Sequence, residues 1–171
     1  MAAYIILMLS LFSIFAGAGE LELRPKLRVE WPSHSDTAWV MARLPSVNGA
    51  LLKTTRHDDL QVFIRHDKPA LIANETSVKR YWNEYESSSR ATGGKATGSQ
   101  CRRLGKAAAY TCERQAEHAG KHPTWTAEKL VWNGKDDLIL IRASSPISAE
   151  HAKKLLGEFR LKGLPAEAGE T

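Results

Sequence analysis

Residues 101–145 constrain this chain more than any other stretch. They hold both cysteines, the strongest turn signal and the most apolar strand that follows the N-terminal apolar run. They read as four consecutive antiparallel strands in two hairpins. In the later hairpin, residues 129–132 and 138–142 flank Asn133-Gly134-Lys135-Asp136-Asp137. Asn-Gly favours a hairpin because both residues tolerate positive φ. A two-residue turn would set Leu130 opposite Asp137 and waste the pattern. A five-residue loop sets Trp132 opposite Leu138 and Leu130 opposite Leu140, which matches apolar partners on one face. Residues 138–141 are apolar on both faces, so this strand belongs inside a sheet covered on both sides.

The earlier hairpin carries Cys101 and Cys112. A loop centred on Lys106 and Ala107 places the two cysteines directly opposite each other. Opposed residues of paired strands bring their Cβ atoms close enough for a disulfide. Two buried thiols are the alternative. The N-terminus favours the disulfide, because export removes a chain from the reducing cytosol.

That N-terminus is residues 1–19, which carry no charged side chain. Residues 4–15 are nearly all apolar, and Ala16-Gly17-Ala18 has the small-x-small form that a signal peptidase reads. Residues 1–18 are therefore expected to be a signal peptide, and the protein to be exported, periplasmic or secreted. The rival reading is an uncleaved membrane anchor, since the uncharged run approaches spanning length and its start lacks Lys or Arg. No second long apolar run follows, so no stable membrane span is expected after cleavage.

Residues 19–26 read as a flexible segment, 27–163 as a single α+β domain, and 164–171 as a disordered tail. Residues 27–31, 38–44, 50–55 and 60–65 read as strands, with Leu60, Val62 and Ile64 on one face. Thr76 or Ser77 caps a helix whose buried face is Val78, Tyr81, Trp82 and Tyr85. That helix is expected to end in the Ser/Thr/Gly run of residues 87–98, read as a flexible loop. A last helix starts at Ser148, buries Ala152, Leu155, Leu156 and Phe159, and finds in Gly163 a C-terminal cap. Leu140 and Phe159 are expected to be core partners.

The order is strands, a helix, more strands, then a helix. It implies an antiparallel sheet with both faces covered by helices. Residues 138–141, the Ser144-Ser145-Pro146 link and the closing helix ending Leu155-Leu156-Gly157-Glu158-Phe159 resemble the PsbP-like superfamily, an α/β/α sandwich known from an extrinsic subunit of photosystem II and from other small non-catalytic proteins. The resemblance is one of architecture over most of the chain beyond residue 18. It carries over no functional motif, and the disulfide hairpin is an addition to the family's pattern.

Candidate chemistry is sparse. His57-Asp58 and His66-Asp67 hold acceptable divalent-metal ligands if their strands pair, which would suit a small metal-dependent or hydrolytic enzyme. Exposed polar residues at strand ends are the simpler reading. His118 and His122 have the i, i+4 spacing of helical ligands, but Gly120 and Pro123 place them in a loop. No metal site and no cofactor are therefore expected. Lys95, Arg102, Arg103 and Lys106 cluster around the Gly-rich run and the cysteine hairpin, and could hold an anion or an acidic partner. The formal net charge of +5 is mild. With no aromatic residue interleaved before Tyr110, nucleic acid is not the expected partner. Asn74-Glu75-Thr76 matches a glycosylation sequon, meaningful only in a eukaryotic secretory pathway. The expected function is that of an exported, non-catalytic accessory or binding protein, touching a protein or an anionic envelope component.

Overall fold

The apolar stretch Leu138–Ser145 lies inside a large antiparallel sheet and is buried on both faces. The computed structural model describes residues 12–15, 19–31, 39–44, 48–54, 61–67, 74–91, 94–104, 109–118, 124–135 and 137–164. In chain order the elements are β1 (Phe12–Phe15), β2 (Gly19–Arg24), β3 (Leu27–Trp31), β4 (Trp39–Leu44), β5 (Gly49–Thr54), β6 (Gln61–Asp67), α1 (Glu75–Ala91), β7 (Gly94–Arg103), β8 (Tyr110–His118), β9 (Thr124–Trp132), β10 (Leu138–Ser145), α2 (Ala149–Glu158) and β11 (Arg160–Lys162). Eight strands form one sheet in the order β1-β4-β5-β6-β10-β9-β8-β7. The strands β11-β3-β2 form a second, smaller sheet.

Both hairpins take the expected register. Trp132 lies opposite Leu138 and Leu130 opposite Leu140. Gly134 takes φ 84°, and the Asn133 side-chain oxygen accepts from the backbone N–H of Lys135 at 2.9 Å and of Asp137 at 3.1 Å. Asparagine thereby closes the loop with its own side chain. Cys101 pairs with Cys112 across β7 and β8 with their Cα atoms 4.0 Å apart, and the two are joined by a disulfide. Closing so short a loop stabilises the fold by about 3 kcal/mol in the chain-entropy model. The Cys101→Ala/Cys112→Ala protein should lose about that amount in urea unfolding under non-reducing conditions. A loss under about 0.5 kcal/mol would mean that sheet pairing alone holds this edge.

The large sheet has two apolar faces, because β10 and its neighbours alternate buried residues on both sides. On one face, Val62, Ile64, Ile139 and Ile141 meet α2 through Ala152, Leu155 and Leu156, and meet the small sheet through Leu21, Leu27, Val29 and Trp31. Phe159 joins the two coverings: its ring stacks on Trp31 at 5.8 Å and meets Trp39 edge-on at 5.8 Å. On the other face, Leu130, Trp132, Leu138 and Leu140 pack under Val78 and Trp82 of α1. Helices alone therefore do not cover the sheet. A three-stranded sheet shares one face with α2, and α1 packs over the β7–β8 half of the other. Leu140 and Phe159 are both buried but lie on opposite faces, so they are not core partners.

Several local expectations change. Residues 19–24 are a strand, not a flexible segment: Leu21 is buried, and β2 pairs with β3. The glutamates that make this stretch look polar point outward, while the leucines alternate inward. Helix α1 runs to Ala91, through serines that are tolerated inside a helix. It is capped by Asn74, whose side-chain oxygen accepts from the Ser77 N–H at 3.0 Å. The Gly-rich run that follows is mostly β7, bulged between Thr97 and Gln100 with Gly98 at φ 65°. Helix α2 is capped by Ser148 as expected, but ends at Glu158 and gives way to β11. Gly163 follows that strand. It takes φ 84°, and a Cβ there would sit 1.5 Å from the Lys26 carbonyl oxygen, so only glycine lets the two turns touch. Leu164 packs against the core instead of opening a tail. Residues 165–171, 1–11 and the loop at Lys106 and Ala107 lie outside the described residues.

Candidate functional site

The expected contact surface falls on β7, the terminal strand of the large sheet. Lys95, Arg102 and Arg103 are exposed. Arg103 is also tied down: its Nε donates to Glu75 at 3.2 Å, and Glu75 pairs with Lys79 at 3.1 Å. Hydrogen bonds from Lys79 and Tyr110 hold the Glu75 carboxyl below the usual carboxylate range. The disulfide fixes the strand to β8, and the Gly98 bulge interrupts its pairing. Lys106, the fourth residue of the expected cluster, lies outside the described residues.

His66 does not act with Asp67. Consecutive residues of a strand face opposite ways, so His66 enters the core while Asp67 pairs with Arg65 at 2.7 Å. The carboxylate that meets His66 is Asp137, from the central hairpin: Nε2 lies 2.8 Å from Oδ1, and both side chains are 1% exposed. Arg24 of β2 donates from Nε to both Asp137 oxygens at 2.8 and 2.9 Å, and Nη2 donates to Oδ2 at 2.5 Å. Asn133 donates to Oδ2 as well. Arg24 is the main reason that the Asp137 carboxyl sits below its ordinary pKa, with His66 adding to it against the cost of burial. An ionised Asp137 accepts only, so His66 donates to it from Nε2, while Nδ1 lies 2.9 Å from Asn48 Nδ2. Both imidazole nitrogens are then engaged. The cluster braces the small sheet, the central hairpin and β6 against one another.

A second charged group crosses the large sheet beneath α1. Arg114, Glu128 and Arg142 stand directly opposite one another on β8, β9 and β10. Arg114 Nε donates to one Glu128 oxygen and Arg142 Nε to the other. The side chains of Arg114 and Glu128 are 0% and 2% exposed. Burial pushes the Glu128 carboxyl upward against the pull of Arg114. Trp82 lies 4.7 Å over the Arg114 guanidinium and donates from Nε1 to Ser99 at 3.0 Å. Thus α1, β7 and the triad form one connected structure.

His57, Asp58 and His122 lie outside the described residues, and His118 ends β8. Among the described residues no group of three or more His, Cys, Asp or Glu is placed to hold a metal ion. Among them too, no helix is long and apolar enough to cross a membrane.

No family model matches the sequence, and no curated protein matches it. A solved structure does: the solution structure of cyanobacterial PsbP (CyanoP) from Synechocystis sp. PCC 6803 is similar to this chain with a TM-score of 0.54 at 11% identity, covering 86% of this chain and 94% of that one. The chain therefore has a PsbP-like α+β fold, mostly antiparallel sheet, with two helices among the described residues and one disulfide. At that identity the likeness concerns the fold alone.

Proposed function

We propose that this protein is an exported, non-catalytic accessory or binding protein that works by surface contact, with β7 as its contact strand. The observation that carries the reading is a stapled terminal strand that exposes Lys95 and Arg102. A rigid edge with free cations suits recognition of an acidic protein or an anionic envelope component, since little ordering is lost on binding. The bulge at Gly98 disfavours continuous strand addition, so side-chain charge carries the recognition. Export is supported by the apolar run, by Ala16-Gly17-Ala18 and by a disulfide suited to an oxidising compartment. Cleavage after Ala18 would leave β2 whole, beginning at Gly19, and would remove β1 from the edge beside β4.

The test is charge reversal at Lys95→Glu/Arg102→Glu, with Arg103 kept because Glu75 uses it. Folding should be unchanged, since exposed charges alter stability little. Partner capture from envelope extract should weaken, and what remains should lose its salt sensitivity. Unchanged capture would reduce β7 to a solvated face. N-terminal sequencing of exported protein should begin at Gly19; a start at Met1 on membrane-bound material would mean an anchor instead.

A further inference from the structure

The C-terminal end of α2, β11 and the adjacent face of β8 and β9 enclose an open groove of about 650 Å³. Its floor is apolar: Val131, Leu156 and Phe159 lie at the bottom, and half-buried Leu161 and Leu164 form one wall. Its rim is basic, with Lys129, Lys153, Arg160 and Lys162. One carboxylate, Glu113, faces it and stands 3.7 Å from Lys129, while Arg160 lies opposite Glu30 in the β3–β11 register. Among the described residues, Lys153 and Lys162 are in no ion pair. Both are exposed.

We propose that this groove binds a long-chain carboxylate, with the alkyl chain on the apolar floor and the carboxylate between Lys153, Lys162 and Arg160. The volume is that of a small-molecule site, and such sites pair an apolar lining with a few charged groups that fix orientation. Charge complementarity selects the head group: three cations surplus to the groove's own acid attract an anion. The guanidinium of Arg160 matches a carboxylate fork. The apolar floor selects the tail, because a hydrophilic anion would leave it wet. Lys95 and Arg102 do not line the groove, so this site is separate from the β7 surface.

The experiment titrates dodecanoate, below its micelle concentration, into the full chain by calorimetry. Saturable one-to-one binding is expected, weakened at least tenfold in Lys153→Glu/Lys162→Glu and weakened by salt. Dodecyl maltoside, with the same chain and no charge, should not compete. The Lys95→Glu/Arg102→Glu protein should bind dodecanoate as the unaltered chain does, whatever happens to partner capture. Equal binding of the maltoside would reduce the groove to a generic apolar surface. Binding unchanged by the lysine reversals, or none at all, would overturn the site. Binding seen only after Glu167→Lys/Glu170→Lys would assign the groove to the chain's own acidic C-terminal segment and also overturn it.

Discussion

Replacing Glu128 by alanine should destabilise the protein by about 3–5 kcal/mol, the cost of breaking a buried ion pair from one side. Arg114 is fully buried, and its carboxylate partner disappears in the variant. Arg142, with 33% exposure, has water to turn to and contributes less. The contrasting variant is Arg114→Met/Glu128→Leu/Arg142→Met, which removes all three charges with similar volume. Its loss should be much smaller, because each charge was costly to bury in the first place. Urea unfolding followed by tryptophan fluorescence measures both. If Glu128→Ala costs less than about 1 kcal/mol, water reaches the triad and α1 does not seal it. If the triple replacement costs as much as the single one, the Arg114–Trp82 contact carries the stability and the carboxylate does not.

That triad was partly legible in the sequence. The five-residue loop that sets Trp132 opposite Leu138 also sets Glu128 opposite Arg142, so one pair follows from the same register. The pairing of Arg114 with Glu128 depends on the link between β8 and β9, where no turn motif fixes the length of the loop. The position of His66 was legible too. Val62 and Ile64 share a buried face of β6, and the two-residue period carries His66 onto it and turns Asp67 away. A metal site that used both His66 and Asp67 would have to break that period.

Other parts had weaker local signals. The hairpins announced themselves because Asn133-Gly134 and the flanking apolar partners agree on one register. Strand β2 alternates as cleanly as β3, but two glutamates and a terminal position made it read as a fraying end. Its anchor, Asp137, lies 113 residues beyond Arg24, a distance that no local pattern spans. Strand β11 is three residues long and exists only because β3 offers an edge. The second sheet was invisible for that reason, and two amphipathic helices alone suggested that helices covered both faces. The exposed Lys95, Arg102 and Arg103 of β7 were legible as charges. That Glu75 ties Arg103 was not, because α1 and β7 meet only in three dimensions.

Asp137→Ala should cost about 2–4 kcal/mol, less than a fully buried pair. The Arg24 side chain is 38% exposed, so the Coulombic part of its contact is screened by solvent. Most of the loss comes instead from the His66 and Asn133 donors, which face Asp137 in the interior and would be left facing a methyl group. The pH dependence has a definite sign. Arg24 lowers the folded-state pKa of Asp137, so its contribution is present above the unfolded value of about 3.9 and is lost as pH falls through the folded one. The unaltered protein should therefore lose stability below about pH 4 more steeply than Asp137→Asn, which keeps the shape and cannot ionise. Asp67→Asn is the control, because its pairing with Arg65 is partly exposed, at 26% and 37%, and should be worth about 1 kcal/mol or less. Equal acid slopes for the unaltered and Asp137→Asn proteins would show that the brace is held by neutral hydrogen bonds. A larger loss at Asp67 than at Asp137 would return His66 to the neighbour that the sequence first suggested.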